Sequence, residues 1–286
     1  DHYAQFLPHI ANNYDFAEML SEILGELNVS HTGGRYRRPA ASDDDATAQL
    51  GLFFDRTYTG EGMRVTEVIA GGPFDRKSSK VRRGDVLTAI NGIALTKDTD
   101  IAQLLNGQAR KKVLVSFKNG HEETVIPITS GALSGLLYKR WVKRCEHIVD
   151  SVSGGRLGYV HIESMDDASF RTAYSAMLGK YNLRDGCVID TRWNGGGRLH
   201  EDIEILTSGK KYLTQVVRGV ESCDMPSRRY IKPTIMVQGE ANYSNAHGTP
   251  WVYKQMGIGR LVGAPVPGTM TSVNWVTTQD PSLVFG

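Results

Sequence analysis

The sequence of 286 residues has few of the features that mark several protein classes. Its 3 cysteines, Cys145, Cys187 and Cys223, form neither a CxxC motif nor an even set, so neither a zinc site nor a disulfide framework is implied. No apolar run approaches the roughly 18 residues that a transmembrane helix needs, so we expect no membrane insertion. A formal net charge of +2 gives no electrostatic reason to expect nucleic acid as a partner.

Ligand patterns for metals are also lacking, since none of the 8 histidines stands in a spacing such as HExxH. We therefore expect no metal and no cofactor. A hydrophobic content of 40% and a charged content of 22% are ordinary for a folded chain. The length suffices for two or three units, each with its own core. The chain opens at Asp1 without a methionine or a signal peptide, which suggests a processed or trimmed piece of a longer protein.

The N-terminal part has a helical period of apolar residues. This period predicts an amphipathic helix over residues 15–27, with an apolar stripe that can pack on another unit. The stripe consists of Phe16, Met19, Leu20, Ile23 and Leu27. Residues 28–34 break the period, and residues 35–45 run from basic to acidic without periodicity, which is typical of a linker.

Short strands separated by tight turns are predicted over residues 48–129, with Asn91-Gly92 as a strong turn signal. Three motifs in this stretch resemble a PDZ domain. They are Gly71-Gly72-Pro73, residues 81–87 (VRRGDVL) and Ile90-Asn91-Gly92. Leu50-Gly51-Leu52-Phe53 resembles the loop whose amides hold a peptide carboxylate while the peptide adds a strand to an open sheet edge. A small β domain of another type is the alternative.

Strands and helices alternate in residues 131–286, which predicts a parallel or mixed α/β sheet. The predicted strands are 156–162, 187–190, 212–217, 235–237 and 261–263, and the predicted helices are 168–178, 199–206 and 244–254. Functional sites in such sheets lie beyond the carboxyl ends of the strands. Two loops of unusual composition fall there, residues 191–197 (TRWNGGG) and residues 238–248 (QGEANYSNAHG).

These two loops suit acyl-transfer chemistry. The triplet Gly195-Gly196-Gly197 can turn its N–H groups toward one point, because glycine tolerates positive φ. Ser244 stands between an apolar strand and a helix, where its hydroxyl would be presented with helix amides behind it. Together they predict an oxyanion hole and a nucleophile. Since serine is also a preferred helix N-cap, the local sequence leaves open that Ser244 only caps the helix.

Further motifs resemble the tail-specific and tricorn-type serine peptidases of family S41. They are Gly158-Tyr159-Val160, Ile189-Asp190-x-Arg192-x-Asn194-Gly195-Gly196-Gly197, and a serine in a turn rich in Asn, Gly and Ala. The resemblance extends from about residue 15 to residue 275. It implies an α/β fold class with a helical N-terminal cap (1–45), an inserted PDZ-like β domain (46–130) and an α/β protease core of the ClpP/crotonase-like type (131–286), which we expect to continue beyond Gly286.

The residue that acts as base differs between the branches of this family. Carboxyl-terminal processing peptidases use a Ser/Lys dyad, but Thr269 stands about where that lysine would be, and no lysine follows Lys254. Tricorn-type peptidases use a histidine in a Ser-His pair, which Ser30-His31 matches. The resemblance thus implies His31 as general base, Ser30 as its orienting partner and Ser244 as nucleophile.

The remaining site residues are carried over by position. The resemblance implies an oxyanion hole formed by the N–H groups of Gly196 and Asn245, with Gly195 as the neighbour that could replace Gly196. His247 and His200 are expected to line the site or to pack a helix rather than to act as base. In tricorn-type enzymes a glutamate placed well after the nucleophile helps to orient the Ser-His pair. No glutamate follows Glu240, and the sequence ends at Gly286 before such a segment would come.

The sequence therefore predicts a serine endopeptidase that hydrolyses peptides or unfolded protein, with the PDZ domain holding the substrate. A non-catalytic module that binds peptides or hydrophobic ligands on the same fold is the alternative. An esterase is less well supported, because no GxSxG motif surrounds Ser244. The resemblance also implies a homo-oligomer and a cytoplasmic location, or a periplasmic one if the parent protein has a signal peptide.

Overall fold

The computed structural model describes residues 2–39 and 46–286. A 3-10 helix, His2–His9, is followed by helices α1 (Asn13–Gly25), α2 (Ile101–Leu105), α3 (Ser130–Val152), α4 (Asp167–Ser175), α5 (His200–Ser208) and α6 (Asn245–Gln255). The strands are β1 (Gly34–Tyr36), β2 (Leu52–Phe54), β3 (Met63–Val68), β4 (Val86–Ile90), β5 (Ile93–Ala94), β6 (Val113–Phe117), β7 (Glu122–Val125), β8 (Leu157–His161), β9 (Gly186–Asp190), β10 (Leu213–Val217), β11 (Val220–Met225), β12 (Thr234–Gln238), β13 (Arg260–Gly263), β14 (Val276–Thr277) and β15 (Leu283–Phe285). A π-helical turn, Ala176–Lys180, directly follows α4.

The chain divides into two compact units. One comprises Asp1–Pro39 and Cys145–Gly286, and the other comprises Ala40–Arg144, so the boundary at residue 144 falls inside α3. The sequence pattern did not reveal α3, the longest helix at 23 residues. The three-part division into 1–45, 46–130 and 131–286 stays a prediction, and residues 40–45 at its first boundary lie outside the described residues.

The β-rich unit is an antiparallel sheet in the order β2-β3-β4-β6-β7, with β5 paired to β4. Its core is made of alternate strand residues such as Val113, Val115 and Phe117, each at most 3% exposed. The Asn91-Gly92 turn joins β4 to β5 with positive φ at both residues, as its sequence predicts. Strand β2 ends the order, so one of its edges is unpaired among the described strands.

The second unit is built on a four-stranded sheet in the order β13-β12-β9-β8, in which each neighbouring pair is parallel. The predicted α/β class is therefore confirmed. Every residue of β9 is buried, as expected of a central parallel strand covered on both faces. Val237 of β12 pairs with Asp190 of β9, so these strands end side by side and deliver their loops to the same edge of the sheet.

A smaller antiparallel sheet, β1-β15-β14, belongs to the same unit and packs against α1. The Asn12 side chain caps α1 by accepting from the N–H groups of Tyr14 and Asp15. Gly34 has no room for a side chain, because a Cβ there would lie 2.6 Å from the carbonyl oxygen of Ala17. The N-terminal residues are thus fixed to the C-terminal strand, with β1 antiparallel to β15.

Two N-terminal predictions require correction. The helix begins and ends two residues earlier than the predicted 15–27, and Leu27 of the predicted apolar stripe lies beyond it with 60% of its surface exposed. The linker predicted over 35–45 is wrong at Arg35 and Tyr36, which form part of β1. Its residues 40–45 lie outside the described residues.

Among the described residues, no helix is both long and apolar enough to cross a bilayer.

Candidate active site

The loop after β9 is anchored by a buried carboxylate. Asp190, with none of its surface exposed, accepts hydrogen bonds from the Arg192 backbone N–H and guanidinium, and from the Tyr159 hydroxyl at 2.8 Å. The ion pair with Asp190 raises the pKa of Arg192 above its usual range despite the opposing effect of burial. The Asp-x-Arg motif therefore fixes the direction in which the chain leaves the sheet.

The buried side chain of Asn194 holds the glycine triplet in place through hydrogen bonds. Its side chain is fully buried, donates to the Ile162 carbonyl at 2.9 Å and accepts the N–H of Gly196 at 2.9 Å. Gly196 has φ +100°, and a Cβ there would lie 2.7 Å from both Ser244 Cβ and the Tyr243 carbonyl oxygen. Only glycine permits this approach, so the triplet and Ser244 are in direct contact.

Ser244 occupies the strand-to-helix turn between β12 and α6 in a conformation that L-residues avoid, with φ 55° and ψ −125°. Its side chain makes no capping hydrogen bond to α6, and the residue is only partly buried. Its backbone N–H donates to Thr269 Oγ1 at 3.3 Å. The strained backbone holds the Ser244 side chain out of the helix cap, which favours the nucleophile over the capping interpretation.

The next residue, Asn245, ties α6 to α5. Its side-chain oxygen accepts from the N–H groups of Leu199 and His200 at 2.8 and 3.1 Å, and its amide donates to His200 Nδ1 at 2.6 Å. These bonds cap the first turn of α5, whose own N-cap residue, Leu199, offers no side-chain cap. Helix α5 follows the glycine triplet, so Asn245 fixes both loops relative to each other.

The Ser30-His31 pair lies in a turn between α1 and β1. Ser30 Oγ is 2.9 Å from His31 Nδ1 and also forms a short contact with Thr271 Oγ1, while Thr271 Oγ1 donates to the Ser30 carbonyl at 2.8 Å. The His31 backbone, at φ 73°, donates to the Tyr243 hydroxyl at 2.9 Å, and the two rings lie 4.6 Å apart between centroids. His31 is therefore held against the residue immediately before Ser244.

The segment Thr269–Thr271 connects the two halves of the site, since Thr269 bonds to Ser244 and Thr271 bonds to Ser30. No hydrogen bond joins His31 to Ser244 within residues 2–39 and 46–286. His247 Nδ1 accepts the Thr269 N–H at 3.0 Å, which places its proton on Nε2. Tyr243 and Thr271 were not identified from the sequence, because neither belongs to a recognisable motif, and Thr269 was noted only as the residue at the lysine position of the Ser/Lys branch.

The predicted oxyanion donors differ in availability. The N–H of Gly196 is already donated to Asn194 Oδ1. In the described part of the chain, the N–H groups of Gly195 and Asn245 have no acceptor, and Gly195 is exposed. The geometry therefore favours the N–H of Gly195, which the sequence offered as the replacement for Gly196, as the second oxyanion donor beside the N–H of Asn245.

In the other unit, Leu50-Gly51-Leu52-Phe53 leads into the edge strand β2. Gly51 has φ +69°, and a Cβ at this position would lie 2.8 Å from Pro73 Cδ. Leu50 is buried, and its carboxylate-binding role stays a prediction.

A serine at a strained strand-to-helix turn, facing a glycine loop at the carboxyl edge of a parallel sheet, is typical of serine hydrolases. Residues 156–285 match the model of Peptidase family S41, and residues 64–119 match that of the PDZ domain. Residues 156–285 are thus similar to peptidases of family S41 and residues 64–119 to PDZ domains, as the motifs predicted.

Individual relatives extend this similarity over nearly the whole chain. It is 27% identical to tricorn protease homolog 1 of Streptomyces coelicolor, covering 96% of this chain and 26% of that protein. It is 23% identical to tricorn protease of Thermoplasma volcanium, and this match covers 96% of this chain and 27% of that protein. The crystal structure of the tricorn protease shares the fold, with a TM-score of 0.80, 20% identity, and coverage of 99% and 28%. The chain therefore spans roughly a quarter of the length of these relatives.

Proposed function

We propose that this chain is the catalytic part of a serine endopeptidase acting on peptides or unfolded protein. The observation that carries the proposal is the contact between Ser244 and the glycine triplet, with a Ser-His pair held one residue away through Tyr243. The PDZ unit would hold an extended peptide at β2 and the loop Leu50–Phe53. From the resemblance to tricorn-type peptidases, we also propose that the protein is a homo-oligomer and that it is located in the cytoplasm.

The proton arrangement around Ser30 supports His31 as general base. Thr271 Oγ1 donates to the Ser30 carbonyl, so the Ser30 hydroxyl donates to Thr271 Oγ1 and its oxygen accepts from His31 Nδ1–H. This tautomer leaves a lone pair on His31 Nε2, which is the form that a base needs. Thr271 thus orients the Ser30-His31 pair through its hydrogen bonds to Ser30. Among the described residues, no acidic side chain forms a hydrogen bond with this pair.

The chemistry then follows in two steps. Ser244 Oγ attacks the scissile carbonyl and gives its proton to His31, while the N–H groups of Gly195 and Asn245 stabilise the oxyanion. His31 passes that proton to the leaving amine as the acyl-enzyme forms. A water molecule, deprotonated by His31, releases the acid and restores Ser244. His31 must move closer to Ser244 for the first transfer, and free enzymes often show such looser geometry.

A fluorophosphonate probe tests the nucleophile directly. We expect the 286-residue chain to be labelled at Ser244, as located by peptide mapping, and Ser244→Ala to lose the label. The matched control is Ser227→Ala, which lies outside the site. Labelling that persists in Ser244→Ala would disprove the assignment. Absence of labelling in a chain that still binds peptides would favour the non-catalytic module.

Replacement of Thr271 by valine should lower kcat about tenfold with little change in KM, because the Ser30 hydroxyl loses the acceptor that sets the His31 tautomer. Hydrolysis of a fluorogenic peptide gives both constants. The matched control is Thr277→Val, an exposed threonine of β14. Equal constants in both variants would show that Thr271 does not orient the pair.

A further inference from the structure

A cleft in the PDZ unit lies apart from the loop Leu50–Phe53. It has a volume of about 720 Å³ and is formed by β3 and the segment from Ala70 to Arg83. Its apolar lining consists of Val68, Ala70, Phe74 and Val81, of which Phe74 and Val81 are only 1% exposed. No residue of the carboxylate loop lines this cleft, so it is a second concave surface of the unit.

The charge of the cleft is predominantly positive. Its four basic residues are Arg76, Lys77, Arg82 and Arg83. Its two carboxylates are already engaged within the unit, since Glu67 pairs with Arg140 at 2.5 Å and Asp75 accepts the Gly71 N–H at 2.6 Å. Lys77 and Arg83 are exposed, and in the described part of the chain their side chains have no ion-pair or hydrogen-bond partner. The cleft therefore retains unpaired positive charge.

A buried carboxylate holds the basic wall in place. Glu123, 8% exposed, accepts from Arg76 at 3.2 Å, from the Ser79 hydroxyl at 3.1 Å and from the Lys80 N–H at 2.7 Å. Burial alone would raise the pKa of Glu123, but hydrogen bonds led by that from His121 lower it to about 2. Glu123 therefore stays ionised and fixes the segment that carries Lys77.

Arg82 is fixed by the main chain, since its guanidinium donates to the carbonyls of Ser79 and Val81 at 3.1 and 2.7 Å. The wall thus combines two positioned guanidinium groups, those of Arg76 and Arg82, with two unpaired cations. Guanidinium groups that are already held in place lower the entropic cost of binding an anionic partner.

We propose that this cleft is a binding site for an acidic polypeptide segment that carries an apolar side chain. Carboxylates of the segment pair with Lys77 and Arg83, and the apolar side chain rests on Val68 and Ala70. A concave cleft of this volume fits an extended chain, whereas the flat surface of an anionic membrane would not reach its floor. The site is separate from the peptidase chemistry and does not require Ser244.

The test measures fluorescence anisotropy of a labelled Glu/Asp peptide with one central leucine. The peptide is amidated at its C-terminus, so that the loop Leu50–Phe53 has no carboxylate to hold. We expect saturable binding to the full chain at about 50 mM salt. The double variant Lys77→Glu/Arg83→Glu should weaken binding about tenfold or more. The matched control, Lys97→Glu/Lys118→Glu, changes charge equally on exposed lysines outside the cleft and should stay within about twofold of the unmodified chain.

Three outcomes would overturn the proposal. They are absence of saturable binding, equal weakening in both double variants, and selective binding of phosphatidylserine vesicles with none of the peptide. Circular dichroism and thermal unfolding of each variant verify that the unit is folded. For a cleft variant that does not fold, Lys77→Gln/Arg83→Gln repeats the comparison, because it removes the charge without reversing it.

Discussion

Replacement of His31 by alanine is expected to lower kcat about 10⁴-fold while the chain stays folded. The reason is that Ser244 Oγ then has no acceptor for its proton, whereas the His31 side chain is only partly buried. Because His31 has φ 73°, alanine adds backbone strain there. His31→Asn is the better second variant, since asparagine tolerates this conformation and still cannot act as base. Single-turnover acylation by an activated ester measures the step in which Ser244 Oγ attacks the substrate and gives up its proton.

The control for His31 is His247, whose Nδ1 accepts the Thr269 N–H. His247→Ala removes one hydrogen bond to the Thr269 backbone, and we expect it to lower activity by no more than about tenfold. The opposite result, with His31→Asn near the unmodified rate and His247→Ala inactive, would make His247 the base. It would also remove the reason for placing Ser30 and Thr271 in the site.

The sheet and its two loops could be predicted because their signals are local. The apolar runs at 187–190 and 235–237 lie within β9 and β12, and the glycine and serine loops follow them as predicted. The long-range pairing of β1 with β15 has no such signal, since Gly34 and Phe285 are 251 positions apart in the sequence but partners in the sheet. The resulting strand replaced part of the predicted linker.

The residues of the site divide in the same way, into those that a local sequence motif indicates and those that only the folded structure brings together. Ser30, His31 and Ser244 could be named from motifs, but the contacts that join them are made by Tyr243 and Thr271, whose residue types are common in loops. The choice between Gly195 and Gly196 also depends on the Asn194 side chain, which takes up the Gly196 N–H. A sequence specifies which residue types are present, whereas an N–H that is already paired is visible only in the folded structure.

Glu204 of α5 is a buried carboxyl group that no motif indicated. It is 5% exposed in the unit that contains the parallel sheet, and in the part of the chain that the structure describes neither of its side-chain carboxyl oxygens has a hydrogen-bond partner. Burial raises the pKa of Glu204 to about 8, and the nearby charge of Glu201 adds to this effect. Glu204 is therefore protonated in the folded protein at neutral pH.

The free energy of unfolding should fall as the pH rises from about 4.5 to about 8, because in this window the unfolded chain releases the Glu204 proton and the folded chain does not. The contribution changes by about 1.4 kcal/mol per pH unit, and the total is on the order of 5 kcal/mol. Below about pH 4.5 both states are protonated and the penalty vanishes. Glu204→Gln is neutral in both states, so it should lack this fall.

Urea unfolding of the unmodified chain and of Glu204→Gln at several pH values isolates the effect, since all other titrating groups contribute equally to both. The amide remains a buried polar group without a partner, which costs about 1–3 kcal/mol at every pH and leaves the slope unaffected. Glu221→Gln, an exposed residue of β11, serves as the control and should follow the unmodified chain. Parallel curves for Glu204→Gln and the unmodified chain would mean that Glu204 is ionised in the folded state.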